Sequence, residues 1–285
     1  MAPYPISNDH DHDDDHDDDH DDFGGLQRDL KAYGRSMNRR QLMRVAASFG
    51  MSLGALKLLG CDNSPTTDDG TTGGSCSRIP EETAGPYPGD GSQGTSQPNV
   101  LDDTGVVRSD IRSSFGSSTT TATGVPLVIT LNLVSSSTCA ALSGYAVYLW
   151  HCDAQGRYSL YSSGVTGENY LRGVSATDSS GNVTFTTIFP GCYSGRWPHM
   201  HFEVYRSLSA ATSVSNKIAT SQLGFAKAVC DTVYAQSAYS GSATNLAQIS
   251  YASDGIFQGN AGQVATTSGS VSAGYTASIT VGVSV

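Results

Sequence analysis

The sequence predicts an all-β fold, an antiparallel sandwich with few short helices. Three observations carry that prediction. Short runs rich in β-branched and aromatic residues alternate apolar with polar. Clusters of Gly, Ser, Asn and Asp separate those runs, as turns require. No long amphipathic helix interrupts them. The runs come in order: PLVITLNLV (Pro126–Val134), YAVYLWH (Tyr145–His151), NVTFTTI (Asn182–Ile188), HMHFEVY (His199–Tyr205) and YTASITVGV (Tyr275–Val283). Between the last two, FAKAVCDTVYA (Phe225–Ala235) predicts one short helix. Short strands at this spacing suggest an antiparallel β-sandwich.

The 285 residues are 38% hydrophobic, enough for one ordinary core with additional segments. A formal net charge of −10 suggests an acidic protein, but the charge is local. Residues 9–22 (DHDHDDDHDDDHDD) hold 10 of the 26 acidic residues, and the other 16 balance the 16 Lys and Arg. A basic nucleic-acid footprint is therefore excluded. The Asp/His run cannot bury a core and reads as a solvated extension over 1–36, with at most weak affinity for divalent cations.

Residues 37–61 read as a targeting signal. Arg39-Arg40 precede a modest apolar run, Val45 to Leu59, that Lys57 interrupts, so the run is too short and mixed for a stable membrane span. The arginine pair reads as a twin-arginine export signal, and Leu58-Leu59-Gly60-Cys61 resembles a bacterial lipobox. The expectation is an exported protein, held at a bacterial membrane only through a lipid on Cys61. Residues 62–78 follow as a flexible tether, and 79–285 form the folded domain. Cys76, Cys139, Cys152, Cys192 and Cys230 remain beyond the lipobox. Their compartment permits disulfides, their odd number leaves at least one unpaired within the chain, and their connectivity is open.

The chemistry concentrates in PGCYSGRWPHMHFEVY (Pro190–Tyr205). Of the 7 histidines, four lie in the Asp/His run; His151, His199 and His201 are the rest. On a strand, His199, His201 and Glu203 share one face while Met200, Phe202 and Val204 share the other, apolar one. Two imidazoles about 7 Å apart along a strand can reach one metal ion. Tyr193 and Arg196 lie just upstream, and LWHCDAQGRYSLY (Leu149–Tyr161) ends a strand in a turn carrying Tyr158. Apart from Glu203, no carboxylate or Cys occupies an obvious third-ligand place. Tyrosinate is a hard anionic donor, and with two imidazoles it suits oxidised iron better than zinc.

These motifs together resemble the intradiol ring-cleavage dioxygenases, the family of catechol and protocatechuate dioxygenases. EETAGPYPGDGS (Glu81–Ser92) resembles the family's Thr-x-Gly-Pro-Tyr segment. VRSDIR (Val107–Arg112) follows as in secreted members. LWHCDAQGRYS resembles the strand and turn of the first tyrosine, and LRGVSATDSSGNVTFTTIFPGCY (Leu171–Tyr193) the approach to the second. GRWPHMH (Gly195–His201) resembles the Arg and His-x-His segment, and TSQLGF (Thr220–Phe225) the segment with an active-site glutamine. The resemblance spans about 76–260. It implies one mononuclear non-haem Fe(III) ion held by Tyr158, Tyr193, His199 and His201. Arg196 and Gln222 would be catalytic, with Tyr193 also able to leave the metal and take a substrate proton. The substrates would be a small aromatic diol and O2, and the product a muconate-type diacid. Tyr161 and Tyr170 are rivals for the first tyrosine, and His151 is expected to be structural. Two other readings stand beside this one: a non-catalytic, lipid-anchored β-sandwich for binding, and a surface zinc or copper protein in which the tyrosines are idle. The oligomeric state stays open, because the amino-terminal region does not match the helical dimerisation region of the cytoplasmic members.

Overall fold

The computed structural model describes residues 76–285; the Asp/His-rich extension, the signal with Cys61 and nearly all of the tether lie outside the described residues. Among the described residues eight strands form two four-stranded sheets. They are β1 (Pro126–Ser135), β2 (Ala146–Trp150), β3 (Arg172–Ala176), β4 (Asn182–Ile188), β5 (His199–Tyr205), β6 (Lys217–Gly224), β7 (Thr266–Ser270) and β8 (Gly274–Val283). One sheet has the order β4-β1-β8-β7, the other β3-β2-β5-β6. Helices α1 (Lys227–Tyr234) and α2 (Ser242–Ala247) sit between β6 and β7. Among the described residues no helix is long and apolar enough to cross a membrane.

The alternation that predicted the strands also packs them. Leu127, Ile129, Leu131 and Leu133 of β1 face the core with Val183 and Phe185 of β4 and Ala277, Ile279 and Val281 of β8. From the opposing sheet come Val147 and Leu149 of β2 and Met200, Phe202 and Val204 of β5. Each fully buried side chain of this size stabilises the fold by roughly 1.5–3 kcal/mol through removal from water.

Among the named strands, one pair departs from a purely antiparallel sandwich. β1 and β8 run parallel, Leu127 opposite Tyr275 and Val134 opposite Gly282. Nearly 140 residues of intervening chain make that geometry possible, since parallel neighbours need a long crossover. Three strands lack the expected signature. β3 (RGVSA) is short and carries Arg and Gly, β6 begins with Lys, and β7 (TTSGS) has no apolar residue at all.

β5 is buried at every position, although its pattern alternates. The reason is a second layer on the far face of its sheet. There Tyr148 and Trp150 of β2, Val174 of β3 and Tyr205 of β5 pack against Tyr87, Val100, Leu101, Val106, Tyr158 and Tyr193. The segment from Ala84 to Val106 and the loops after β2 and β4 thus roof the histidine face. Ahead of this layer, Cys76 is bonded to Cys139, and the Ile79 amide donates to the Gly282 carbonyl. Cys152, Cys192 and Cys230 are free and buried.

Candidate metal centre

Two interlocked turns create the site. After β2, the Asp153 carboxylate accepts from the Gln155 and Arg157 amides (2.9 and 3.0 Å) and from the Arg157 guanidinium (2.9 and 2.8 Å). Gly156, at φ 82°, closes this turn in the left-handed region, where a side chain is strained. After β4, Gly191 passes against the same turn. A Cβ there would lie 2.7 Å from the Asp153 carbonyl oxygen and 2.8 Å from both the Ala154 oxygen and the Gly156 nitrogen. The glycine lets the backbones touch, and Tyr158 and Tyr193 leave the two turns toward one point. α2 braces the second turn: Ser242 Oγ accepts from the Cys192 amide, and Asn245 donates to the Cys192 carbonyl.

β5 supplies the imidazoles to that point. His199 Nε2 and His201 Nε2 are 3.1 Å apart. The Tyr193 hydroxyl is 3.1 Å from His199 Nε2, and the Tyr158 hydroxyl is 3.2 Å from His201 Nε2 and 3.5 Å from His199 Nε2. Bonds of about 2.0–2.2 Å from a central ion to N and O donors place adjacent donors at about this spacing. The tautomer of His199 agrees. Its Nδ1 lies 2.5 Å from the Trp197 carbonyl, which can only accept, so Nδ1 carries the proton and Nε2 presents a lone pair. Burial, reinforced by the Arg196 charge, holds His199 well below the usual histidine range; burial, then His199 and Arg196, does the same for His201. Both rings are therefore neutral at neutral pH, the form that a metal ligand requires. Trp150, paired with His201 across the sheet, stacks on its ring at 5.0 Å and fixes its plane.

The remaining candidates separate by position. Tyr161 accepts from the Gly89 amide, and the Tyr170 hydroxyl donates to Asp153; neither hydroxyl is directed at the histidines. His151 sits between the Cys152 carbonyl (2.8 Å) and Thr187 (2.7 Å), away from the donor cluster. Glu203, the only carboxylate on the histidine strand, bonds Tyr205 and Lys217 (2.6 and 3.0 Å) instead. Among the described residues no group of three or more His, Cys, Asp or Glu side chains is arranged to hold a metal ion. Two histidines and two tyrosines are what converge, and that donor set fits an oxidised iron.

Arg196 is fully buried beside the cluster, with Nη1 3.5 Å from His199 Nε2 and Nη2 donating to Gln222 Oε1 at 2.6 Å. Gln222 donates from Nε2 to the Thr83 carbonyl (2.9 Å). Its amide is thus spent on Arg196 and on the backbone, which couples the strand-end role to the arginine. Arg172 is a further buried cation. Its guanidinium donates to Ser159 Oγ and the Ser159 carbonyl, to the Pro88 and Tyr87 carbonyls, and to the Tyr148 hydroxyl. That clamp ties the Thr-x-Gly-Pro-Tyr segment to the Tyr158 turn, and Tyr87 lies against Tyr158 with ring centroids 5.0 Å apart. The sequence reading missed Asp254, which pairs with Arg196 (2.9 Å) and is itself wholly buried. Its context, Ser-Asp-Gly, signals only a turn.

Residues 108–211 match the protein-family model described as Dioxygenase. Among solved structures, an intradiol ring-cleavage dioxygenase from Tetranychus urticae shares the fold at 24% identity, with a TM-score of 0.52 over 64% of this chain and 88% of that one. The dioxygenase Tetur07g02040 does so at 24% identity and a TM-score of 0.53, with the same coverage. No curated protein matches the sequence. The matched segment falls within a dioxygenase family model, and the β-sandwich is the fold of the intradiol ring-cleavage dioxygenases. The match holds Tyr158, Tyr193, Arg196 and both histidines, while the Thr-x-Gly-Pro-Tyr segment, Gln222 and Asp254 lie beyond its ends.

Proposed function

We propose that this protein binds one Fe(III) ion through Tyr158, Tyr193, His199 and His201 and cleaves a catechol-type aromatic between its two hydroxyl-bearing carbons. Both atoms of O2 enter the product, a muconate-type diacid. The observation that carries the reading is the convergence of the His201 nitrogen and two phenol oxygens within 3.1–3.5 Å of His199 Nε2. A ferric ion held there would supply Lewis acidity and a template, drawing electron density from a bound catechol so that its ring reacts with O2.

The chain's own residues do the rest. A catechol that binds through both oxygens gives up two protons; the Tyr193 oxygen, 3.1 Å from His199 Nε2, would receive one, and the other would leave to solvent as the substrate enters. Arg196 presents its Nη1 edge to the same space and stabilises negative charge as it builds on the ring. It does so in surroundings closed to water, where such a charge is most effective. Gln222 holds the guanidinium from the other side. Trp150 and Tyr87 keep His201 and Tyr158 in one orientation, so little reorganisation is needed at the moment of reaction.

The substrate class is catechol, protocatechuate or hydroxyquinol. The signal and lipobox motifs support an exported enzyme, tethered through a lipid on Cys61 and acting on aromatics outside the cytoplasm. The test is the visible spectrum and iron content of the purified protein, recorded with and without catechol in the absence of O2. The expected result is one iron per chain and a broad tyrosinate-to-iron band that shifts when catechol binds. A protein that stays colourless and iron-free after reconstitution would leave a binding sandwich as the better account. A colourless zinc or copper site indifferent to loss of either tyrosine would favour the surface-metal reading.

A further inference from the structure

We propose that Asp254 is the positioning residue that aims Arg196 at the reacting ring; the catalytic consequence rests on the dioxygenase reading, the positioning does not. The carboxylate is fully buried and accepts four N–H groups. Oδ2 takes Arg196 Nε (2.9 Å) and the Trp197 amide (2.8 Å), and Oδ1 takes the Ile256 and Phe257 amides (2.8 and 3.1 Å). One side chain thus joins the loop ahead of β5 to the turn after α2. Its two oxygens are saturated, so it has a single orientation.

Arg196 inherits that orientation. A planar guanidinium held at Nε by Asp254 and at Nη2 by Gln222 Oε1 is fixed at two corners, which sets its plane. Nη1 then lies 3.5 Å from His199 Nε2, on the side of the four converging donors. Phe257, the residue whose amide Asp254 also binds, backs the group, with its ring centroid 5.9 Å from Arg196 Cζ. Charge makes the same point. A bare buried guanidinium beside a site for a cation would oppose that cation. Paired on its far side with Asp254, it becomes a fixed dipole whose positive end faces the substrate space.

Asp254→Asn in the full chain tests this. Asn keeps the shape but turns an amide N–H₂ toward donors that need an acceptor. In metal-free protein, the Arg196 Nε–H resonance should shift and its solvent exchange should quicken at least about tenfold. In the iron-loaded enzyme, kcat should fall about 10- to 100-fold, below or at the loss from deleting an oxyanion-type donor. The anaerobic catechol Kd should stay within about threefold. In an Arg196→Gln background the same substitution should change kcat no further. An unmoved Nε–H resonance, or an equal kcat loss without Arg196, would overturn the proposal and leave Asp254 as a cap for the 254–257 turn. Should the wild type prove inactive and iron-free, a lost Nε–H signal in the variant still supports the positioning and only the reaction is in error. If the variant does not accumulate, the wild type decides: a protected, slowly exchanging Arg196 Nε–H is expected, and a rapidly exchanging one refutes the fixed pair.

Discussion

Tyr158 and its rivals show what one residue can decide. Three tyrosines lie within thirteen positions, and nothing in their spacing ranks them beyond the turn that precedes Tyr158. The fold gives Tyr161 to a backbone amide and Tyr170 to Asp153, and directs only Tyr158 at the histidines. Tyr158→Phe should therefore abolish the visible band and ring cleavage, whereas Tyr161→Phe should leave the band in place; a band that survives in Tyr158→Phe would refute the assignment. His151 carries a second expectation at this scale. Burial, with help from Arg172 and against its bond to Cys152, pushes its pKa down to about 4 from 6.5. The unfolded chain therefore binds a proton that the native chain refuses between those values. Stability from this group is complete above pH 6.5 and is lost as pH falls toward 4, by about 3 kcal/mol at 1.36 kcal/mol per unit. His151→Gln keeps a donor for Cys152 and an acceptor for Thr187 without titrating. Denaturant melts of both proteins from pH 7 to 4 should diverge, the wild type losing more; parallel curves would show that His151 is not the acid-sensitive group.

At the scale of elements, the site belongs to two turns and one strand. The strand was legible because Met200, Phe202 and Val204 alternate with polar partners, and the alternation fixed which residues share a face with the histidines. The turns were legible as turns, but not their contact. Gly191 and Gly156 look like ordinary punctuation, and only packing shows that backbone touches backbone between them. Gly191→Ala should force the two turns apart, at a cost of about 1–3 kcal/mol for an overpacked position. Because the tyrosines ride on those turns, iron retention should weaken in the same variant. Wild-type melting with wild-type iron content would show that the turns can part without disturbing the site. β3, β6 and β7 were not legible, since their residues take strand geometry from neighbours already in place and carry little propensity of their own.

Over the whole molecule, one sheet is covered on both faces. The core lies between the sheets, and the second layer, built from residues 84–106 and the loops after β2 and β4, encloses the donor cluster. The chain leading into the layer is tied by the disulfide between Cys76 and Cys139, which spans 63 residues. Replacing both with Ser should lower unfolding free energy by about 2–5 kcal/mol, as expected for removing a cross-link over a long loop. Equal stability with and without the bond would show that the β1 and β8 contacts alone secure this end. The sequence by itself determined the all-β class, the main core strands, the His-x-His face and the reading as an intradiol dioxygenase, because those depend on local alternation and on short ordered motifs. Only the tertiary structure decided which tyrosines converge, the parallel pairing of the first and last strands, the cysteine partners and the part of Asp254. Each of these joins residues tens to more than a hundred positions apart, and no local pattern encodes which distant backbone a side chain will meet.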